Sequence, residues 1–199
     1  MIITLFKDGE IMTFTPMIFL EDKLPPEATL YQQCEVCTPR SRIIWGEGNP
    51  KAPIAVILDN PGAREDREGK EYVCGTRQTL QRALHQVNLT QNDVYITYLL
   101  KCRPLRSYNK EEARAFSKPF LIQQIKTINP KIIVFLGDTV VQSLFNDSEA
   151  HVKNLRGSWH NVMGFPTIVS YHPLAVRRRP NLMNHFIQDW EMVAQRLFS

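Results

Sequence analysis

The sequence predicts an α/β protein: a three-layer α/β/α sandwich built on a four-stranded, mostly parallel sheet. Three observations lead there. Four short apolar runs, at 53–59, 94–100, 131–137 and 166–171, have the length and composition of strands. Helix-like patterns at about 76–88, 110–127, 138–146 and 181–197 alternate with them, and strict alternation implies parallel strands covered on both faces. No repeat, low-complexity tract or linker divides the 199 residues, a length that suits one full hydrophobic core.

Taken in order, residues 1–28 form a lead, irregular or a β-hairpin, with Pro25-Pro26 at its end, and residues 29–199 form a single domain. Leu30 to Cys37 is expected as a short helix carrying Cys34 and Cys37. Pro53-Ile54-Ala55-Val56-Ile57 then runs as a buried strand into Leu58-Asp59-Asn60-Pro61-Gly62. The helix over 110–127 places Ala113, Phe116, Phe120 and Ile125 near helical spacing. Asn129-Pro130 stops it and introduces the next strand. Thr167-Ile168-Val169-Ser170-Tyr171 ends in His172-Pro173, and the last helix carries a stripe of Met183, Phe186, Ile187, Trp190, Val193 and Leu197.

The longest apolar runs are of strand length, short of a membrane span. Met1 to Phe6 followed by Lys7-Asp8 lacks the basic start, apolar core and small-residue cleavage site of a secretory signal, so a cytoplasmic monomer with no membrane partner is expected. The net charge of +4 permits nucleic-acid binding without requiring it. Lys101 and Arg103 bracket a strand end, and Arg177-Arg178-Arg179 follow His172 closely. Alone, the three arginines read as a solvated loop; beside the His-Pro pair they are expected to hold phosphate.

Ligands of open α/β sheets bind at the carboxyl ends of the strands. Two polar strand ends, Asp59-Asn60 and His172, are therefore expected to form the two lips of one cleft. The competing account of the first is a plain Asx-Pro turn, which such residues form readily.

The blocks "CEVC", "GEGNPKAPIAVILDNPG" with "REDREGKEYV", "VYITYLLKCRP", "INPKIIVFLGDTVVQSLF", "LRG" and "YHPLAVRR" resemble, in order and near spacing, the uracil-DNA glycosylase superfamily, most closely its iron–sulfur family 4 branch. The likeness runs from about Cys34 to about residue 190. It implies a uracil-DNA glycosylase-like fold and a base-excision enzyme acting on DNA. Asp59 stands where that branch has Glu, and Asn60 where other branches have an Asn that positions water. Breaking an N-glycosidic bond makes an oxocarbenium-like sugar, which needs nearby negative charge and a held water. The resemblance thus makes Asp59, Asn60 and His172 catalytic, with His172 donating to the leaving base. It makes Tyr72 the ring that stacks on a flipped base, with Pro61, Gly62 and Tyr98 also lining the base site. Tyr98 replaces an Asn that reads the edge of uracil, which changes the polar groups available for discrimination. Leu174 follows His-Pro where Ser is common, and an apolar side chain there suits wedging into a base stack.

The resemblance also makes Cys34, Cys37 and Cys102 three ligands of an iron–sulfur cluster, with the fourth position falling on Ser117. Cys74 aligns with a family Gly beside Tyr72. Three assignments compete: a [4Fe–4S] cluster completed by Ser117 or another ligand, zinc on Cys34, Cys37 and Cys102, or no metal and unligated thiols. The leading expectation is a DNA glycosylase for uracil or another deaminated base, partnered by single- or double-stranded DNA. The alternatives are a catalytically inactive nucleic-acid-binding relative, favoured by Tyr98, Ser117 and Leu174, and a redox or metal-sensing module built on the CxxC pair.

Overall fold

The computed structural model describes residues 3–7, 10–14, 16–34, 36–37, 42–63, 75–105 and 107–199. The strands are β1 (Ile3–Lys7), β2 (Glu10–Phe14), β3 (Gly46–Gly48), β4 (Ile54–Leu58), β5 (Val94–Tyr98), β6 (Ile132–Leu136), β7 (Trp159–Val162) and β8 (Phe165–Ser170). The helices are α1 (Ala28–Tyr31), α2 (Gly75–Gln86), α3 (Lys110–Ile128), α4 (Asp138–Phe145), α5 (Val152–Leu155), α6 (Pro173–Arg178) and α7 (Met183–Phe198).

The main sheet has six strands in the order β3-β5-β4-β6-β8-β7, not the four expected. The four apolar runs are its parallel interior, β5-β4-β6-β8, and the two extra strands are antiparallel edges. Their sequences explain why they escape a hydrophobicity reading. β3 is Gly46-Glu47-Gly48, with no apolar side chain, and β7 is half-exposed along its length. The lead docks on this edge: Gly48 N–H donates to Leu20 O at 2.8 Å, and Asp22 N–H to Gly46 O at 2.8 Å. Its first part is a two-stranded antiparallel ribbon, β1 with β2.

Alternation along β4 divides the core. Ile54, Val56 and Leu58 enter one apolar cluster with Leu80 and Leu84 of α2, Val176 of α6, and Phe186 and Trp190 of α7. Ala55 and Ile57 enter another with Leu121 and Ile125 of α3, Val140 and Val141 of α4, and Val152 of α5. The α7 stripe therefore packs as its spacing requires. Helix ends follow their capping residues. Asn109 Oδ1 accepts from the N–H groups of Glu111 and Glu112 to open α3, and Asn129 closes it with φ +50°.

α1 departs from expectation. It starts at Ala28, just after Pro25-Pro26, and ends at Tyr31, so Cys34 and Cys37 lie in the turns that follow rather than on a helix. α6 is a short helix that periodicity misses, although His172 as N-cap and Pro173 in the first turn are an ordinary helix-start signal. Among the described residues no helix is long and apolar enough to cross a membrane.

An ion pair ties the end of α5 to α7, and a hydroxyl of β8 joins it. The Arg156 Nε and Nη2 groups donate to the two oxygens of Asp189 at 3.1 and 2.8 Å, and Ser170 Oγ donates to Asp189 Oδ2 at 2.5 Å. The Asp189 side chain is fully buried. Removing one member of such a pair strands the other charge in the core. Arg156→Ala should therefore lower the unfolding free energy by ~3–5 kcal/mol, with Arg156→Lys intermediate because it lacks the planar fork; urea denaturation followed by circular dichroism checks both.

Candidate active site

The cleft lies at the carboxyl ends of β4, β6 and β8, where the parallel strands release the chain. Its volume is about 280 Å³, and its walls include Asp59, Gly137, Asp138, Tyr171 and His172. Parallel pairing aligns these ends: Ile57 opposes Phe135, and Leu136 opposes Ser170. Gly137 N–H then donates to Ser170 O at 3.0 Å, which carries the alignment past the strands. Gly137 has φ +100°, which favours glycine, and a Cβ there would crowd the His172 Cβ at 3.0 Å.

The two polar strand ends meet. His172 Nε2 lies 3.4 Å from Asp59 Oδ1. His172 Nδ1 accepts the Leu174 N–H at 3.1 Å and caps α6. An accepting Nδ1 assigns the proton of the neutral imidazole to Nε2, where it faces Asp59 and the cleft. Asp59 Oδ1 also accepts the Asn60 N–H at 2.9 Å, and Asn60 Nδ2 donates to Pro61 O at 2.8 Å. Burial pushes the Asp59 carboxyl upward, but its hydrogen bond with His172 and the Asn60 N–H outweigh it and hold the group below the ordinary carboxylate range. Asp59 is thus a carboxylate at neutral pH. The Asp59 bond is to the adjacent N–H and not to the one two residues on, which Pro61 lacks, so the Asp59 side chain does not close an Asx turn and is left facing the imidazole.

The remaining expected residues separate. Pro61 is buried and Gly62 half-buried beside the turn, and Leu174 sits in the first turn of α6. Arg177, Arg178 and Arg179 are exposed, Arg103 is half-buried, and Arg177 lies against the backbone of Gly75 at the start of α2. Tyr72 and Cys74 fall outside the described residues. Tyr98 is buried at the end of β5, opposite Leu58. Its hydroxyl donates to Glu47 Oε1 at 2.7 Å and accepts from Arg77 Nη2 at 2.6 Å, while Arg77 also pairs with Glu47 at 2.6 Å. Neither Glu47 nor Arg77 carries a sequence signal, since their pairing joins two elements whose members lie 30 residues apart. Tyr171 and Gly137 do carry one: each adjoins a strand end that releases into a helix.

Lys101 corrects the expectation of a phosphate contact. It is fully buried, and Nζ donates to Thr97 Oγ1 at 2.7 Å and to Gln124 Oε1 at 2.5 Å, 5.3 Å from the centre of the Trp45 ring. Burial pulls its ammonium well below the ordinary lysine value. The unfolded chain therefore binds a proton that the folded amine lacks, and stability rises with pH up to the unfolded value of about 10.4. Lys101→Met should remove that contribution. Wild type should then gain on the variant, by at most about 1.4 kcal/mol per pH unit, when urea unfolding is compared at pH 7, 8 and 9.

The cysteine corner lies away from the cleft lining. Cys37 and Cys102 form a disulfide, with Cα atoms 5.4 Å apart, and Cys34 is buried outside it. Ser117 Oγ donates to Leu99 O and lies 2.7 Å from the Tyr31 hydroxyl, which in turn accepts the Lys101 N–H at 2.8 Å. Cluster and zinc ligation both need thiolates converging on one point. Two of the three sulfurs here are bonded to each other, the serine oxygen is engaged, and no group of three His, Cys, Asp or Glu among the described residues is arranged to hold a metal ion. The residues do not fit a cluster.

Comparison with known proteins gives a consistent result. Residues 45–194 match the Uracil DNA glycosylase superfamily. A type-4 uracil-DNA glycosylase of Saccharolobus solfataricus is 33% identical over 187 residues, covering 89% of this chain and 87% of the relative. A type-4 uracil-DNA glycosylase of Archaeoglobus fulgidus is 31% identical over 87% of this chain and 92% of its own length. One of Pyrobaculum aerophilum is 32% identical over 82% and 89%. The matched span begins at Trp45, just before β3, and takes in every strand of the six-stranded sheet together with the Asp59–His172 cleft. The chain belongs to the uracil-DNA glycosylase superfamily.

Proposed function

We propose that this protein is a DNA glycosylase that hydrolyses the N-glycosidic bond of uracil or another deaminated base, acting in base excision as a cytoplasmic monomer. Residues 29–199 form its glycosylase domain, a three-layer α/β/α body, with residues 1–28 as a lead. The observation that carries the reading is the meeting of Asp59 and His172 across the cleft at 3.4 Å. It sets a carboxylate and an N–H donor side by side, which suits a reaction that separates a cationic sugar from an anionic base.

In this reading the bond between C1′ and the base nitrogen breaks as positive charge grows on the sugar, where Asp59 stabilises it. Asn60 positions the water whose oxygen bonds to C1′. One water proton ends on the released base, and the other stays in the sugar hydroxyl. His172 Nε2–H stabilises the leaving base, while its Nδ1 accepts the Leu174 N–H. Tyr72 stacks on the flipped base, with Pro61 and Gly62 shaping the turn beside it. Arg103, Arg177, Arg178 and Arg179 hold DNA phosphates, and Leu174 is placed to enter the base stack. The relatives named type-4 uracil-DNA glycosylase support this assignment. The hydrolysis draws on no diffusible cofactor.

The Tyr98 hydroxyl, held by Glu47 and Arg77, favours a second reading, a non-catalytic DNA-binding relative. Labelled oligonucleotides carrying uracil, hypoxanthine or a mismatched pyrimidine, followed by alkaline cleavage, separate the two. A strand break with one of them, reduced about 100-fold or more by Asp59→Ala or Asn60→Ala with DNA binding kept, is the expected result. Binding without any break, in wild type and variants alike, establishes the second reading. In the same assay Tyr98→Asn should raise release of uracil over hypoxanthine, because an amide offers a paired donor and acceptor to the uracil edge.

A further inference from the structure

The cysteine corner is closed by its own side chains, with Cys37 bonded to Cys102 and the Ser117 hydroxyl engaged by Tyr31 and Leu99. The described residues from Ala28 to Cys37 have little secondary structure of their own beyond the four-residue α1 and the turns after it. A helix that short does not hold itself together in water. What fixes the segment is its contact with the end of β5 and with α3. Tyr31, Cys34 and Val36 are buried in a third apolar cluster with Trp45, Leu100, Cys102 and Ala113.

Tyr31 is the centre of that cluster. Its ring packs edge-on against Trp45, Phe116 and Phe120 at 6.0, 5.8 and 5.3 Å. Its hydroxyl reaches Ser117 Oγ and the Lys101 N–H, with Cys34 as a further hydrogen-bonding neighbour. Ser117 uses its own proton on Leu99 O, so the phenol donates to Ser117. The phenol oxygen therefore stands where Cys34, Ser117 and the backbone leading into Cys102 converge. A serine suits the position because it accepts from the phenol and donates to the carbonyl at once.

We infer that the Cys37–Cys102 disulfide, backed by the Tyr31–Ser117 hydrogen bond, is a metal-free covalent staple that fastens residues 28–37 to the segment after β5. It joins cysteines 65 residues apart, a span over which a cross-link strongly restricts the unfolded chain. It forms by exchange with a low-molecular-weight disulfide. One cysteine thiolate attacks a sulfur of that disulfide and expels a thiol. The second cysteine thiolate then attacks the mixed disulfide, forming Cys37–Cys102 and expelling the other thiol. Two protein thiols are oxidised and one small disulfide is reduced to two thiols. The bond persists because Cys102 is wholly buried. A reductant reaches only the half-buried Cys37 sulfur, and attack there must leave a thiolate in an apolar cluster, which raises the leaving-group pKa and slows the step.

The test uses the full-length protein purified without added reductant, and none of its readouts depends on glycosylase activity. Alkylation in denaturant, read by mass spectrometry, should leave Cys37 and Cys102 unlabelled and in one disulfide-linked peptide before reduction, and label both after it. Iron, zinc and acid-labile sulfide should be absent. Reduction should lower the melting temperature by about 10 °C, and Cys37→Ser should abolish that dependence without introducing colour. If Cys37→Ser does not fold, the labelling pattern and metal content of wild type decide alone. Labelling of Cys37 and Cys102 before reduction, stoichiometric iron with absorbance near 400 nm, or stoichiometric zinc each overturns the staple.

Discussion

The placement of β4 governs the rest of the molecule. All five of its residues are buried, and parallel neighbours bond it on both sides. A strand enclosed in this way has no solvent-facing side chain, so polar groups emerge only at its end. Asp59 is the first residue free to be polar, and its position is set by the β4–β6 and β6–β8 registers. A slip of one residue would exchange Val56 and Ile57 between two unlike apolar clusters. The core thereby sets the distance between Asp59 and His172.

Around these strand ends the protein buries charge and pairs it. Glu47 with Arg77 and Tyr98, Asp189 with Arg156 and Ser170, and Lys101 with Thr97 and Gln124 are three separate networks. The first two hold ions against counter-ions. The third holds an amine with neutral acceptors, and burial accordingly drives it toward the uncharged form. Networks of this kind contribute little net stability, but they are costly when half-made, so they penalise alternative arrangements of the same elements. Tyr98 shows the consequence for function, because a residue that is expected to face the base is part of an internal hydrogen-bonding set.

The cysteine corner shows family resemblance and local chemistry diverging. Three cysteines recur in the family's order, and the serine at 117 looks in sequence like the loss of a single ligand. In space the serine is one end of a relay through Tyr31, a residue that no cysteine pattern mentions. The serine oxygen is coupled to a phenol whose ring packs against Trp45, Phe116 and Phe120.

Much of the fold was legible in the chain. Fully buried parallel strands read as continuous apolar runs: β4, β5 and β6 lie inside the runs at 53–59, 94–100 and 131–137, and β8 begins one residue before the run at 166–171. α2, α3, α4 and α7 follow from helical spacing and from Asn caps. The cleft was legible as well, because Asp59-Asn60 and His172 are polar residues at the ends of apolar strands. What the sequence withheld depends on neighbours distant along the chain. The edge strands β3 and β7 are defined by hydrogen bonds to β5 and β8 rather than by their own hydrophobicity. The inward turn of Lys101 depends on Gln124 and Trp45, and the disulfide depends on a fold that closes 65 residues of chain. Sequence by itself determined where apolar segments must be buried, since that is a property of each segment's own side chains. Tertiary structure alone decided which polar groups became partners, since a hydrogen bond or a disulfide is a property of two places that only folding brings together.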